Sequence, residues 1–137
     1  MSTATQYVTE RDFQDLRALI DAAAWQGDRQ RADLEQLAAE LRRRKVLPAD
    51  ELPPDVVTLN SRVQLFEPDT GETFACTLVL PKAADIGRFK ISVLSPVGLA
   101  LFGHRVGDLF DSPTPAGPRR LEITAMWYQP ETVGDVA

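Results

Sequence analysis

Most of the residues that carry chemistry are scarce in this chain. Among 137 residues there is one cysteine, Cys76, and one histidine, His104. A lone cysteine excludes an internal disulfide and fits a reducing compartment. One histidine with no second histidine or cysteine at ligand spacing is no metal motif, and His104 reads as a plain loop histidine. No glycine-rich phosphate loop and no nucleophile–base pairing is present, and no cofactor is implied. No apolar run approaches the roughly 20 residues that cross a bilayer. The opening MSTATQYVTERD lacks a basic region followed by an apolar core, so no secretory signal is expected and the cytoplasm is the expected location. A basic excess is missing too. Fifteen Lys and Arg stand against twenty Asp and Glu, a net charge of −5, with the acidic excess in both halves. That balance argues against a dedicated nucleic-acid binder, which must neutralise phosphates. What remains is an ordinary globular composition, long enough for one modest domain and an appendage.

The stretch around which the chain is organised is Ile91 to Asp108, ISVLSPVGLALFGHRVGD. Ile91 and Val93 alternate with Ser92, the period of a half-buried strand. Ser95-Pro96 has the form of an N-cap followed by proline at the first helical position, where its missing donor costs nothing. Val97, Leu99, Ala100 and Leu101 supply one or two apolar turns. Gly103 can end them in the left-handed conformation. Gly107-Asp108 then turns the chain into a short strand at Leu109-Phe110. The expectation is a strand–short helix–strand corner.

Residues 1–8 are small and polar and are expected to be frayed. Thr9 and Asp12 have the form of a capping box with aspartate in place of glutamate. Phe13, Leu16, Ile20 and Ala23 recur at steps of three and four, an amphipathic helix that should stop near Trp25-Gln26-Gly27. A second helix starts around Asp28, with Leu34, Leu37, Ala38 and Leu41 as its apolar stripe. Two such stripes joined by a short loop can zip into an antiparallel helical hairpin. Arms of about 15–18 residues would be about 22–27 Å long. Arg42-Arg43-Arg44-Lys45 closes the second helix, either as a solvated run complementing the helix dipole or as a contact for an acidic partner. Three prolines between Leu47 and Pro54 mark a boundary. The expected domains are therefore 1–46, a linker 47–54, and 55–137.

Beyond the linker the pattern is that of a sheet. Val63 and Leu65 share a face, and Pro68-Asp69-Thr70-Gly71 is a tight turn with glycine available for positive φ. Phe74, Cys76, Leu78 and Leu80 alternate with Thr73, Ala75, Thr77 and Val79, which makes Cys76 a buried, inert thiol. Pro81 ends that strand, and Ala84–Gly87 is a loop. Phe89, Ile91 and Val93 lead into the corner, and residues 113–118 form another loop. Leu121, Ile123, Ala125 and Trp127 alternate along the last strand and place Trp127 in the core. Pattern alone predicts an α+β protein: a helical hairpin followed by a twisted antiparallel sheet with one short helix across it.

The corner motif SP-x-G-x-AL-x-G-x-x-x-GD resembles the C-terminal domain of the Gre transcript-cleavage factors and their relatives. The nearer resemblance is to the Rnk family, named as regulators of nucleoside diphosphate kinase. ELPPDVVTLNSRV, Glu51 to Val63, resembles the Rnk linker and first strand. Tyr128-Gln129-Pro130-Glu131 with Gly134-Asp135 resembles its C-terminal end. The resemblance implies an FK506-binding-protein-like fold for the sheet domain and RNA polymerase as partner, with no sequence-specific nucleic-acid contact and no membrane.

In Gre factors a long helical hairpin enters the polymerase secondary channel, and two acids at its tip help hold a catalytic Mg²⁺. Here Gly27-Asp28 resembles that tip up to its first acid, but Arg31 stands where the second would be. A cation there repels the ion, so Asp28 is read as a helix cap and no catalytic residue is assigned. Trp25, also at the tip, either fills a partner pocket or packs on the protein itself. The Gre strand–Ser-Pro corner docks on the rim of the channel, and Leu94, Ser95 and Pro96 match it, with Leu94 at a position commonly acidic in Gre proteins. The resemblance therefore implies a non-enzymatic transcription regulator that binds the rim and competes with Gre-type factors. A peptidyl-prolyl isomerase suggested by fold analogy and an adaptor dimerising through its hairpin are the rival readings.

Overall fold

The computed structural model describes residues 6–23, 31–114 and 117–131. The chain divides into two compact units, Met1–Leu52 and Pro53–Ala137.

In the first unit, strand β1 (Tyr7–Thr9) leads directly into helix α1 (Glu10–Ala23), followed by helix α2 (Arg31–Arg42) and strand β2 (Lys45–Leu47). β1 and β2 pair in parallel, Val8 opposite Val46, with the Lys45 amide donating to the Gln6 carbonyl at 2.9 Å. Parallel strands need a long crossover, and the two helices supply it. This strand pair corrects the expectation of fraying for residues 6–8, Val8 being almost wholly buried, while residues 1–5 lie outside the described residues. Three residues are too few for alternation to register as a strand. The cap is as expected, Thr9 Oγ1 accepting the Asp12 amide at 3.1 Å. The apolar stripes point inward. Leu16, Leu34, Leu37 and Leu41 are buried, while Phe13 and Ile20 are half-buried.

The basic run is not one solvated face. Arg43 is exposed and pairs with Glu40 one turn back. Arg44 is buried, its side chain 2% exposed, with Nη2 3.5 Å from Glu40 Oε2. Burial lowers its pKa to about 10, well below the usual guanidinium range, an effect only partly opposed by Glu40.

The second unit is built on a five-stranded sheet in the order β5-β4-β3-β7-β6. The strands are β3 (Arg62–Glu67), β4 (Glu72–Val79), β5 (Lys90–Ser92), β6 (Leu109–Thr114) and β7 (Gly117–Tyr128), with helix α3 (Pro96–Leu101) between β5 and β6. The β3–β4 hairpin turns at Pro68–Gly71 as predicted, with Gly71 at φ +76° and its amide donating to the Glu67 carbonyl at 2.8 Å. The core is formed by Val63, Leu65, Cys76, Leu78, Val93, Leu101, Leu121 and Ile123.

Three expectations are corrected. The sheet is not wholly antiparallel, since β5 runs parallel to β4, Leu78 opposite Ile91. Alternation reports which face a residue occupies, not strand direction. Residues 113–118 are not all loop, because β6 and β7 stay paired past Pro113 and Pro118 until Thr114 faces Gly117. Proline is tolerated on β6, an edge strand, and near the first residue of β7. Trp127 is 55% exposed, with the Arg62 guanidinium carbon 5.3 Å from its ring centroid. The register of β7 on β3 slips twice: Leu65 faces Ile123, Gln64 faces Ala125, Val63 faces Met126 and Arg62 faces Tyr128. Each slip puts an extra residue on β7, and each bulge reverses the alternation beyond it.

Candidate functional site: the Ser95–Pro96 corner

The corner forms where α3 starts. Val93, wholly buried, donates its amide to the Val79 carbonyl at 2.8 Å and so extends the β4–β5 pairing by one bond. The chain then reverses over Ser92. The Ser92 carbonyl accepts both the Ser95 amide at 3.0 Å and the Ser95 hydroxyl at 2.7 Å. Ser92 Oγ accepts the Leu94 amide at 3.1 Å. Ser95 Oγ in turn caps α3 by accepting the Gly98 amide at 3.1 Å. One hydroxyl thus both donates and accepts, leaving Pro96 exposed at the apex.

Gly98 makes this geometry feasible. A Cβ there would lie 2.0 Å from the Ser92 carbonyl oxygen, so the helix can seat on β5 only because the position has no side chain. Leu94 is 6% exposed. Its side chain packs inward, and only its backbone belongs to the apex. The helix ends as predicted, with Gly103 at φ +84°.

The chain leaving α3 is held by residues 55–57. The Asp55 carboxylate receives the Arg105 guanidinium at 3.0 Å and 2.7 Å, and the Asp55 carbonyl accepts the Val106 amide at 3.0 Å. Val57 exchanges backbone bonds with His104 and Gly103 at 2.9 and 3.0 Å. Buried Gln129 donates Nε2 to the carbonyls of Pro53 and Val56 at 3.0 and 2.7 Å. Thr58 Oγ1 bonds Glu131 Oε1 at 2.8 Å. The stretches PDVV, HRVGD and YQPE, distant in sequence, therefore form one clasp on the chain that leaves α3. Their only signal in the sequence was that all three fell within the family resemblance.

The remaining candidates lie elsewhere. Trp25, Gly27 and Asp28 fall outside the described residues, and Arg31 opens α2. His104 stacks on Phe110, ring centroids 5.3 Å apart. Cys76 is buried, and desolvation raises its thiol from 9.0 to about 12. Among the described residues no cluster of three or more His, Cys, Asp or Glu could hold a metal ion, and no helix is long and apolar enough to cross a membrane.

Comparison with known proteins assigns both units. Residues 52–128 match the family model described as transcription elongation factor, GreA/GreB, C-term, and residues 7–47 match Rnk N-terminus. The chain is 37% identical over 136 residues to the regulator of nucleoside diphosphate kinase of Escherichia coli K12, covering 98% of each. It is 36% identical over 109 residues to the transcription inhibitor protein Gfh1 of Thermus aquaticus, covering 78% of this chain and 68% of that one. Among solved structures, the transcription elongation factor GreA/GreB from Nitrosomonas europaea superposes with a TM-score of 0.75 at 35% identity. That match spans 92% of this chain and 100% of that one.

Proposed function

This chain belongs to the Rnk family of Gre-related proteins, and from that premise we propose that it is a non-catalytic transcription regulator that binds RNA polymerase at the secondary-channel rim. It competes there with Gre-type factors. In this reading α1 and α2 are the arms of a short antiparallel hairpin ahead of a linker at 47–54. The domain at 55–137 is FK506-binding-protein-like and carries the docking contact.

The observation that supports the reading is the corner itself. Ser95 is fastened at four points, to the Ser92 carbonyl twice and to the Gly98 and Leu99 amides, and it leaves Pro96 projecting on a rigid base. Rigid presentation reduces the ordering cost of binding. Leu94, buried, sets the backbone of the apex rather than touching the partner. At the tip, Arg31 in place of a second acid is incompatible with the two-acid ion site of the Gre factors, which supports regulation without cleavage.

The test is direct competition. Purified protein is titrated onto RNA polymerase bearing a labelled Gre-type factor, alongside Ser95→Asn, which caps about as well as serine but is bulkier, and Pro96→Ala. Displacement by the wild type is expected, with at least several-fold weaker displacement by both variants at unchanged thermal unfolding. Stalled elongation complexes should show no transcript shortening. Displacement unaffected by the variants would leave the corner a helix cap alone. Shortened transcripts, lost on Asp28→Ala, would instead mean catalysis. A self-associating protein with no polymerase affinity would favour the adaptor reading, and turnover of a prolyl peptide the isomerase reading.

A further inference from the structure

Between β4 and β5 the chain leaves the sheet, and every residue from Lys82 to Phe89 is exposed. Ile86 is 81% exposed and Phe89 56%. Single exposed apolar residues need no explanation, but these two are displayed on a braced frame. Asp85 and Lys90 exchange both backbone hydrogen bonds at 2.9 Å and close a small loop between them. Within it the Arg88 amide donates to the Asp85 carbonyl at 3.0 Å and the Phe89 amide to the Ile86 carbonyl at 3.1 Å. Phe89 is held at φ +55°, ψ +35°, a left-handed conformation that is uncommon for non-glycine residues and an outlier for a bulky one. Its carbonyl is fixed in turn by the Thr77 amide at 2.9 Å. The fold thus holds an aromatic residue in a strained conformation where glycine would be relaxed, and leaves more than half of it in water. Backbone strain of this kind clusters at ligand clamps and switch regions.

Charge indicates what the knob fits. From Pro81 to Ser92 the charged residues are Lys82, Asp85, Arg88 and Lys90, a net charge of +2 in a chain of −5. The complement is an acidic protein surface with an apolar pocket. Phe89 precedes Ser95 by six positions, a span of at most about 22 Å. A standard interface patch of about 800 Å² per partner is about 30 Å across, wide enough to hold both.

We propose that Ile86 and Phe89 form a second, apolar anchor of the same partner contact as the Ser95–Pro96 corner, seated in an acidic face of the polymerase. The inference rests on the rim-binding reading. Its test measures polymerase affinity for the wild type, Phe89→Gly, Ile86→Ser and Arg88→Glu, with Ser95→Asn in parallel. Phe89→Gly removes the strain with the ring, so it should unfold no earlier than the wild type and yet bind at least tenfold more weakly. Ile86→Ser should lose a similar factor, and Arg88→Glu should weaken binding most at low salt. Wild-type binding with both apolar variants unchanged would overturn the anchor and leave the corner standing. A wild type that does not bind polymerase removes the rim reading itself. Vesicles of anionic lipid serve as the alternative probe. Binding to them that Ile86→Ser abolishes, with polymerase affinity intact, would also overturn the proposal.

Discussion

Replacing Gly98 by alanine tests the corner most severely, because the change adds one methyl group where backbone already stands. The new Cβ would lie 2.0 Å from the Ser92 carbonyl oxygen, 2.8 Å from its carbon and 3.0 Å from Val93 Cα. A relaxed carbon–oxygen contact of about 3.3 Å requires a shift of about 1.3 Å. None of these atoms is the tip of a flexible side chain. Val93 is buried and bonded to Val79, so β5 cannot retreat, and α3 must lift instead. Overpacking of this kind costs about 1–3 kcal/mol. Lifting α3 also removes the two bonds from Ser95 to the Ser92 carbonyl, at about 1 kcal/mol each. Alanine's better helix propensity returns about 1 kcal/mol. The net expectation is a loss of about 2–4 kcal/mol, or about 8–30 °C in Tm for a unit of this size. Urea unfolding followed by circular dichroism reads the stability, and a thermal scan reads the Tm. A loss below about 0.5 kcal/mol, the range of ordinary surface changes, would refute the claim that α3 is pinned on β5.

Other expectations follow from burial. Leu37 is wholly buried, so Leu37→Ala should cost the first unit about 2–4 kcal/mol in chemical denaturation; a cost near zero would mean the helix seam is misplaced. Arg44→Ala should destabilise by about 2–3 kcal/mol, because the space left by its buried side chain outweighs the desolvation that its removal relieves. Arg43→Ala, on an exposed pair, should stay within about 0.5 kcal/mol, and equal losses from the two would contradict the structure. Cys76 should resist a thiol reagent at pH 8 until the protein is unfolded. Its pKa is raised from 9.0 to about 12, so its contribution to stability is intact below pH 9 and is lost as pH climbs towards 12. The slope is at most about 1.4 kcal/mol per pH unit. Cys76→Ala should remove that slope, and an unchanged alkaline slope in the variant would refute the assignment.

The elements legible in the sequence are those set by contacts within a few residues. Ser95 caps α3, Gly71 and Gly103 take positive φ, and Thr9 accepts the Asp12 amide, because each depends on local backbone geometry alone. The helical stripes were legible because Leu16, Leu34, Leu37 and Leu41 repeat at the period of the helix that buries them. The family followed from motif spacing, which the full-length likeness bears out. What the tertiary structure decided is where distant segments meet. The bulge on β7 between Ile123 and Ala125 reversed the alternation ahead of Trp127 and turned it out to solvent, although its own strand alternates without a visible break in the sequence. The parallel course of β5 depends on where the chain returns to the sheet, which no periodicity encodes. β1 became a strand only because β2 lies beside it. Arg44 and Arg43, neighbours in one basic run, separated into buried and exposed because the helix ends between Arg42 and Lys45 and the chain turns there. The clasp of Asp55 on Arg105 and of Gln129 on Pro53 and Val56 joins residues fifty to seventy-six positions apart. Local sequence sets the conformation each segment prefers, but hydrogen bonds and burial across the fold select which residues share a surface.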